Sequence, residues 1–421
     1  MYKLKRDILL IDTGVSNYKK ALVDLTNEAN IILLDASATN VLNEIALDEN
    51  YSPEESKEIK ALEKLVNEGV FEGNITQKVI EVESLSFWVQ MTDKCNLACD
   101  YCYIPSLNSR KKIIDNLFDV LFRKLIELKE IKSVNIKLGG GEPLLCFNEW
   151  NEKLLTFKKN LDKHNITLNV RIISNLTKVD TRIVNYLLEN NIQLSVSLDG
   201  VKEYHDKNRI FINGNGSYDT VINNIGYVRD KGLLPSIMTT VTSENTKGVS
   251  PIVKEAIKND TTFRVSDVKG ESLSNQQLDS VFEEVYELLD EGLDKGYPVS
   301  KRVVFSDLNT HIPKPQPCSM GVNGAAIYLD GSIYFCHTQF DKGTPVGTLF
   351  EEENLLNIIK RGFEYHNNQH EDCLKCSFKL VCASGCPLYR VDGKSSMCSS
   401  YQKIIPKIYK LYAKEMILNG N

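Results

Sequence analysis

The sequence predicts an α/β chain in three parts. A partial (β/α)6 barrel spans residues 81–300, a small winged-helix-like module precedes it over 1–80, and a cysteine-rich domain follows over 301–421. Three observations predict this. Short apolar runs alternate with amphipathic helical stretches through the middle of the chain, the pattern of a parallel sheet covered by helices. Ten of the eleven cysteines fall into two sets, one near the start of that alternation and one beyond its end, with only Cys146 left over. The first eighty or so residues carry strand and helix signals of their own.

In the first part, Asp7-Ile-Leu-Leu-Ile-Asp12 and Asn30-Ile-Ile-Leu-Leu34 read as strands and Ala36 to Ala46 as a helix. Ser52-Pro-Glu-Glu55 combines an N-cap serine, a proline at the first helical position and a glutamate placed for a capping box. The helix it opens should end near Asn67-Glu-Gly69, where Gly69 suits a C-cap.

The barrel opens with the apolar strand Leu85–Met91, which runs straight into Thr-Asp-Lys-Cys95-Asn-Leu-Ala-Cys99-Asp-Tyr-Cys102-Tyr103. Three thiolates spaced C-x-x-x-C-x-x-C on one tight loop can hold three irons of a [4Fe–4S] cluster and leave the fourth open to a substrate. A zinc knuckle uses similar spacings. The second strand, Asn135–Leu138, leads into Gly139-Gly-Gly-Glu-Pro143, where glycines let the backbone approach a ligand closely. Strands follow at Thr167–Ile173, Gln193–Leu198, Pro235–Val241 and Thr262–Val265. Helical stretches lie near 112–130, 148–164, 179–190, 217–231, 246–259 and 274–296. Ligand-binding residues of such a sheet belong at the carboxyl ends of its strands. Ser174 and Asn175 follow the third strand, and Asp199, Gly200 and His205–Arg209 follow the fourth.

The third part carries Cys318, Cys336, Cys373, Cys376, Cys382, Cys386 and Cys398. Between the first two, Asp330-Gly331 separates two apolar runs and signals a hairpin, which would place Cys336 at the end of a rigid strand. The crowding of thiolates suits converging cluster ligands better than disulfide pairs. Cys146 reads as a small buried apolar residue.

These motifs resemble those of radical S-adenosylmethionine (SAM) enzymes with a SPASM extension. The resemblance rests on the three-cysteine loop with its aromatic Tyr101, the Gly-Gly-Glu-Pro segment and the seven-cysteine pattern. It implies three [4Fe–4S] clusters. Cys95, Cys99 and Cys102 would hold the one that binds SAM, and Cys373, Cys376, Cys382 and Cys398 one auxiliary cluster. Cys318, Cys336 and Cys386 would serve the second auxiliary cluster, one thiolate short, with its last iron vacant or taken by a ligand such as His311. SAM would be held by Gly140, Gly141 and Glu142 at its amino group, Ser174 and Asn175 at its ribose, and Arg209 at its carboxylate. Cleavage of SAM would give a 5′-deoxyadenosyl radical that takes hydrogen from an unactivated carbon.

The N-terminal pattern resembles PqqD-like modules that capture the leader of a precursor peptide as an added strand. The resemblance as a whole is to peptide maturases, of which thioether-forming ones are most similar. Carbon–carbon or carbon–oxygen crosslinking and formylglycine formation are the alternatives. In sulfatase-maturating relatives an acidic residue follows the position of Cys336, whereas here it is His337. A zinc-stabilised peptide-binding scaffold is the non-enzymatic reading.

Composition excludes other classes. With 50 Lys plus Arg against 56 Asp plus Glu, the chain lacks the basic surplus that nucleic-acid binding requires. No apolar run resembles a membrane span. Thiolates awaiting iron imply a reducing cytoplasm, and the resemblance implies an electron donor such as flavodoxin or ferredoxin.

Overall fold

The computed structural model describes residues 3–5, 7–15, 17–25, 29–72, 82–104, 113–270 and 273–420. Along the chain run β1 (Ile8–Val15), β2 (Tyr18–Asp24), β3 (Asn30–Leu34), α1 (Ala36–Leu47), α2 (Ser56–Asn67), β4 (Ser84–Gln90), α3 (Leu117–Ile126), β5 (Ser133–Gly139), α4 (Phe147–Asp162), β6 (Thr167–Ser174), α5 (Thr181–Glu189) and β7 (Gln193–Ser197). They continue with α6 (Lys202–Asn208), α7 (Tyr218–Asp230), β8 (Ser236–Val241), α8 (Thr246–Lys258), β9 (Phe263–Asp267), α9 (Asn275–Leu293), α10 (Val299–Arg302) and β10 (Val303–Phe305). Last come β11 (Gly324–Ile327), β12 (Ser332–Tyr334), β13 (Gly347–Thr348), α11 (Leu355–Arg361), α12 (Glu371–Lys375), β14 (Arg390–Val391), β15 (Lys394–Ser395) and α13 (Cys398–Leu418). Packing divides the chain into two units, residues 80–273 with 318–367, and residues 1–79 with 274–317 and 368–421.

The first of these units is built on a parallel sheet. β4 to β9 pair in chain order, every neighbour parallel, as the alternation of apolar runs and helices requires. Each strand points one row of side chains into the core, where Leu85, Val89, Val134, Leu138, Ile172, Val196, Val241 and Val265 are fully buried. Each such chain contributes about 1.5–3 kcal/mol by leaving water. The register pairs Gln90 with Gly139, so the cysteine loop and the Gly-Gly-Glu-Pro segment leave the sheet side by side. β11 adds to the other edge of β4 in parallel and turns back through Gly331, at φ +85°, into β12, which pairs with β13. Cys336 falls just beyond β12.

The second unit holds an antiparallel sheet in the order β1-β2-β3, whose inner face packs on α1 and α2 through Leu22, Ile32, Leu34, Val41, Leu42, Ile45, Leu62 and Leu65. α2 begins at Ser56, not at Pro53. Its N-cap is Glu55, without a side-chain bond, so the expected Ser52 cap and capping box do not form. Tyr51 instead donates to the Glu58 carboxylate at 2.9 Å, tying the approach segment to the helix. Gly69, at φ +68°, follows the helix end as expected. β2 was not anticipated, because its Tyr-Lys-Lys start hides the apolar Ala21-Leu22-Val23 that follow.

In the same unit α13 packs on α9 and on β1. The two helices run parallel, with Asn275 on Ser400, Asp279 on Lys403, Glu283 on Lys407 and Asp290 on Lys414.

Candidate active site

The cysteine loop leaves the carboxyl end of β4 and is stitched, like a short strand, to the segment after α6. Ala98 N–H donates to the Ile210 carbonyl at 2.8 Å and Ile212 N–H to the Asn96 carbonyl at 3.1 Å. Cys102 N–H closes a turn on the Cys99 carbonyl at 3.1 Å. This stitching carries Arg209, distant in sequence, to the loop. Its Nε donates to Asp199 Oδ2 at 2.6 Å, its Nη1 lies 3.9 Å from Cys99 Sγ, and its guanidinium lies 5.3 Å from the centre of the Tyr101 ring. Tyr101 also donates its hydroxyl to Asp199. Asp199 is fully buried, and its other oxygen accepts from Thr240 N–H at 2.9 Å. Burial alone would favour a neutral Arg209, but Asp199 and its neighbours hold the guanidinium well above its ordinary range.

Gly140 and Gly141 lie against the backbone that leads into Cys95. A Cβ on Gly140, which sits at φ +146°, would come 2.4 Å from the Thr92 carbonyl oxygen, and one on Gly141 would come 2.2 Å from that of Lys94. Only glycine allows the two bonds made there, Gly141 N–H to Thr92 O at 2.7 Å and Glu142 N–H to Lys94 O at 2.8 Å. Glu142 is buried and accepts three bonds, from Leu144 N–H at 3.0 Å, Ser174 Oγ at 2.8 Å and Asn175 N–H at 2.6 Å. Burial still raises its carboxyl from 4.5 to about 7, against the pull of those donors. Asn175 Nδ2 reaches Asn96 Oδ1 at 3.1 Å and Cys95 Sγ at 3.6 Å, and Leu97 N–H approaches the same sulfur at 3.4 Å. Burial pushes the Cys95 thiol up to about 12 and the Cys99 thiol upward as well, and coordination to a metal draws such protons off.

The sequence-predicted residues Gly140, Gly141, Glu142, Ser174, Asn175 and Arg209 thus all gather around Cys95 and Cys99. Three sets of contacts here were not read from the sequence. Asp199 anchors both Tyr101 and Arg209. Gln90 Nε2 donates to Asp93 at 2.9 Å, and Tyr328 donates to the same carboxylate. Trp88 stacks on His337 with ring centres 3.9 Å apart, while Tyr103 meets the same imidazole edge-on at 4.9 Å. His337 therefore stands between the cysteine loop and its neighbour Cys336, whose sulfur is 3.6 Å from His337 Nδ1.

In the other unit Cys373, Cys376, Cys382 and Cys398 line one pocket, together with Phe378, Lys379, Tyr401 and Ile405. Cys373, Cys376 and Cys398 all act electrostatically on Cys382 across this pocket, and four converging thiols are a donor set for an iron–sulfur cluster. Burial pushes the Cys382 thiol up to about 12. Cys318 and Cys336 belong to the sheet unit and Cys386 to this one. His311 stacks on Tyr412, its Nε2 3.2 Å from the hydroxyl. Cys146 is buried, as expected, and its thiol donates to the Pro143 carbonyl at 3.3 Å. Among the described residues no helix is long and apolar enough to cross a membrane.

Comparison with known proteins agrees with this geometry. Residues 89–255 match the Radical SAM superfamily. A cysteine-type anaerobic sulfatase-maturating enzyme of Clostridium novyi is 25% identical over 332 residues, covering 72% of this chain and 88% of its own. The solved structure of anSMEcpe with bound AdoMet and Cp18Cys peptide superposes with a TM-score of 0.65 at 21% identity, covering 80% of this chain and 99% of that one. SuiB of Streptococcus suis, bound to precursor peptide SuiA, gives 0.55 at 16% identity over 94% of this chain and 99% of its own. The fold and the cysteine loop define a radical SAM domain. The protein is an enzyme whose residues 89–255 form a radical SAM domain, and that domain implies a [4Fe–4S] cluster and SAM.

Proposed function

We propose that this enzyme modifies a ribosomally made precursor peptide, joining a cysteine sulfur to a carbon as a thioether. The observation that carries the reading is the β1–β3 sheet with its two helices, placed ahead of the radical SAM domain. The likeness to peptide-bound SuiB extends over 94% of the chain, against 80% for anSMEcpe, which supports a part in peptide recognition for residues outside the barrel. A leader segment added as a strand would gain main-chain hydrogen bonds at the sheet edge.

Cys95, Cys99 and Cys102 would hold the cluster that binds SAM, whose reductive cleavage supplies a carbon radical able to take hydrogen from an unactivated C–H. Around it the protein's own work is placement. Glu142, bonded to Ser174 and Asn175, fixes the ends of β5 and β6. The backbone of Gly140 and Gly141, free of side chains, would hold the SAM amino group. Arg209, held by Asp199 beside Cys99, would pair with the SAM carboxylate. Cys373, Cys376, Cys382 and Cys398 fit one auxiliary cluster. Cys318, Cys336 and Cys386 would serve a second, with an iron left for the substrate thiolate, so that three clusters operate in all. A flavodoxin or ferredoxin would supply electrons, in a reducing cytoplasm.

The second reading is formylglycine formation, favoured by the Clostridium novyi relative. One experiment separates them. Anaerobically reconstituted enzyme is given SAM, a low-potential reductant and a short cysteine-containing precursor peptide sought among the neighbouring genes. Loss of two hydrogens with the cysteine made inert to iodoacetamide supports the thioether. An aldehyde trapped by a hydrazine refutes it in favour of formylglycine.

A further inference from the structure

The four-cysteine cavity has a wall that the chemistry of its thiols does not explain. Lys379 lines it, between Cys376 and Cys382, and its Nζ lies 3.0 Å from Asp7 Oδ1. Asp7 stands immediately before β1, where its carbonyl accepts from Leu25 N–H at 2.9 Å and ties the entry of β1 to the exit of β2. The carboxylate is only 17% exposed and the ammonium 36%. A second join runs through α13, whose first residue is Cys398 and whose body packs on β1. The N-terminal sheet and the cavity thus share one ion pair and one helix.

We propose that Asp7 and Lys379 set the reduction potential of the cluster held by Cys373, Cys376, Cys382 and Cys398, so that the N-terminal sheet forms part of that cluster's electrostatic surroundings. The proposal rests on the cavity being a cluster site. Cluster potentials follow net charge and surroundings, because reduction adds a negative charge that nearby cations stabilise and anions oppose. In the intact pair the two charges offset one another. Removing the carboxylate leaves the Lys379 cation beside the cluster and raises the potential. Removing the ammonium leaves Asp7 as an uncompensated anion and lowers it. With both gone, the potential returns close to that of the native pair.

The test is a redox titration followed by electron paramagnetic resonance on the full-length, anaerobically reconstituted protein. The Cys95, Cys99 and Cys102→Ala background leaves only auxiliary signals. Asp7→Asn should shift one auxiliary midpoint upward and Lys379→Met should shift the same one downward. The double variant should lie near the parent, and both shifts should shrink as salt is raised. Glu283→Gln breaks a comparable pair at Lys407, about 13 Å along α13 from Cys398, and should shift nothing. Shifts of the same sign, or none in either single variant, overturn the proposal. The double variant covers the case in which one single variant fails to fold, since a midpoint far from the parent's also overturns it. Iron counting after Cys382→Ala checks the cavity separately: unchanged iron and signals would mean that no cluster sits there, whatever Asp7 does.

Discussion

Replacing Gly141 by Ala should damage the protein far more than one methyl group ordinarily does. The new Cβ would lie 2.2 Å from the Lys94 carbonyl oxygen, 2.4 Å from its carbon and 2.8 Å from the Asp93 oxygen. All three are backbone atoms, so no side chain can swing aside. The two segments must part, which weakens Gly141 N–H to Thr92 O and Glu142 N–H to Lys94 O. At about 1 kcal/mol for each hydrogen bond and about 1–3 kcal/mol for overpacking, the loss is about 3–5 kcal/mol. Each kcal/mol moves the midpoint of a unit this size by about 2–4 °C, so the sheet unit should unfold on the order of 10 °C lower in calorimetry of the iron-free protein. Gly226, inside α7, has nothing within 4 Å of its Cβ position. Gly226→Ala should therefore stabilise by up to about 1 kcal/mol through helix propensity. If Gly141→Ala unfolds within a degree or so of the parent, the close approach is not what the structure describes.

Three further outcomes follow from the site. Asp199→Ala leaves Arg209 buried without its carboxylate and should cost about 3–5 kcal/mol; equal urea midpoints for variant and parent would contradict the pairing. Glu142 has its folded-state pKa raised from 4.5 to about 7, so its stabilisation is complete below about pH 4.5 and is lost as pH rises through about 7. Between about pH 5 and about pH 8 the parent should lose up to roughly 3 kcal/mol relative to Glu142→Gln, and parallel urea stability profiles would refute this. Trp88→Ala removes the ring stacked on His337 and should cost about 3–5 kcal/mol, more than His337→Ala, whose lost ring pair accounts for about 0.5–1.5 kcal/mol; the reverse order in thermal unfolding would deny the stack its weight.

The barrel was legible because each strand is an apolar run that the helices on either side must cover. β4 to β9 accordingly lie where those runs predict. The gathering of Gly140, Gly141, Glu142, Ser174 and Asn175 was legible too, since parallel register brings the carboxyl ends of consecutive strands together. Contacts that depend on loop paths were not. Arg209 reaches Cys99 only because residues 208–212 pair with the cysteine loop, and no periodicity announces a pairing between two irregular segments. Asp199 was expected among the ligand-binding residues after the fourth strand, whereas it is fully buried and anchors Tyr101 and Arg209. His337 looked like a departure from an acidic position, and its stacking on Trp88 depends on β11 adding to β4, a pairing between strands far apart in the chain. α13 was passed over because its apolar positions serve two partners, α9 and β1, and so show no single stripe.

The most direct test of the central claim is 5′-deoxyadenosine production from SAM by anaerobically reconstituted protein with a low-potential reductant, in the parent and in the Cys95, Cys99 and Cys102→Ala triple variant. The parent should release it, and the triple variant should release none while keeping the iron of its other cysteines. Continued 5′-deoxyadenosine release by the triple variant would contradict the assignment of this loop as the SAM-cleaving centre.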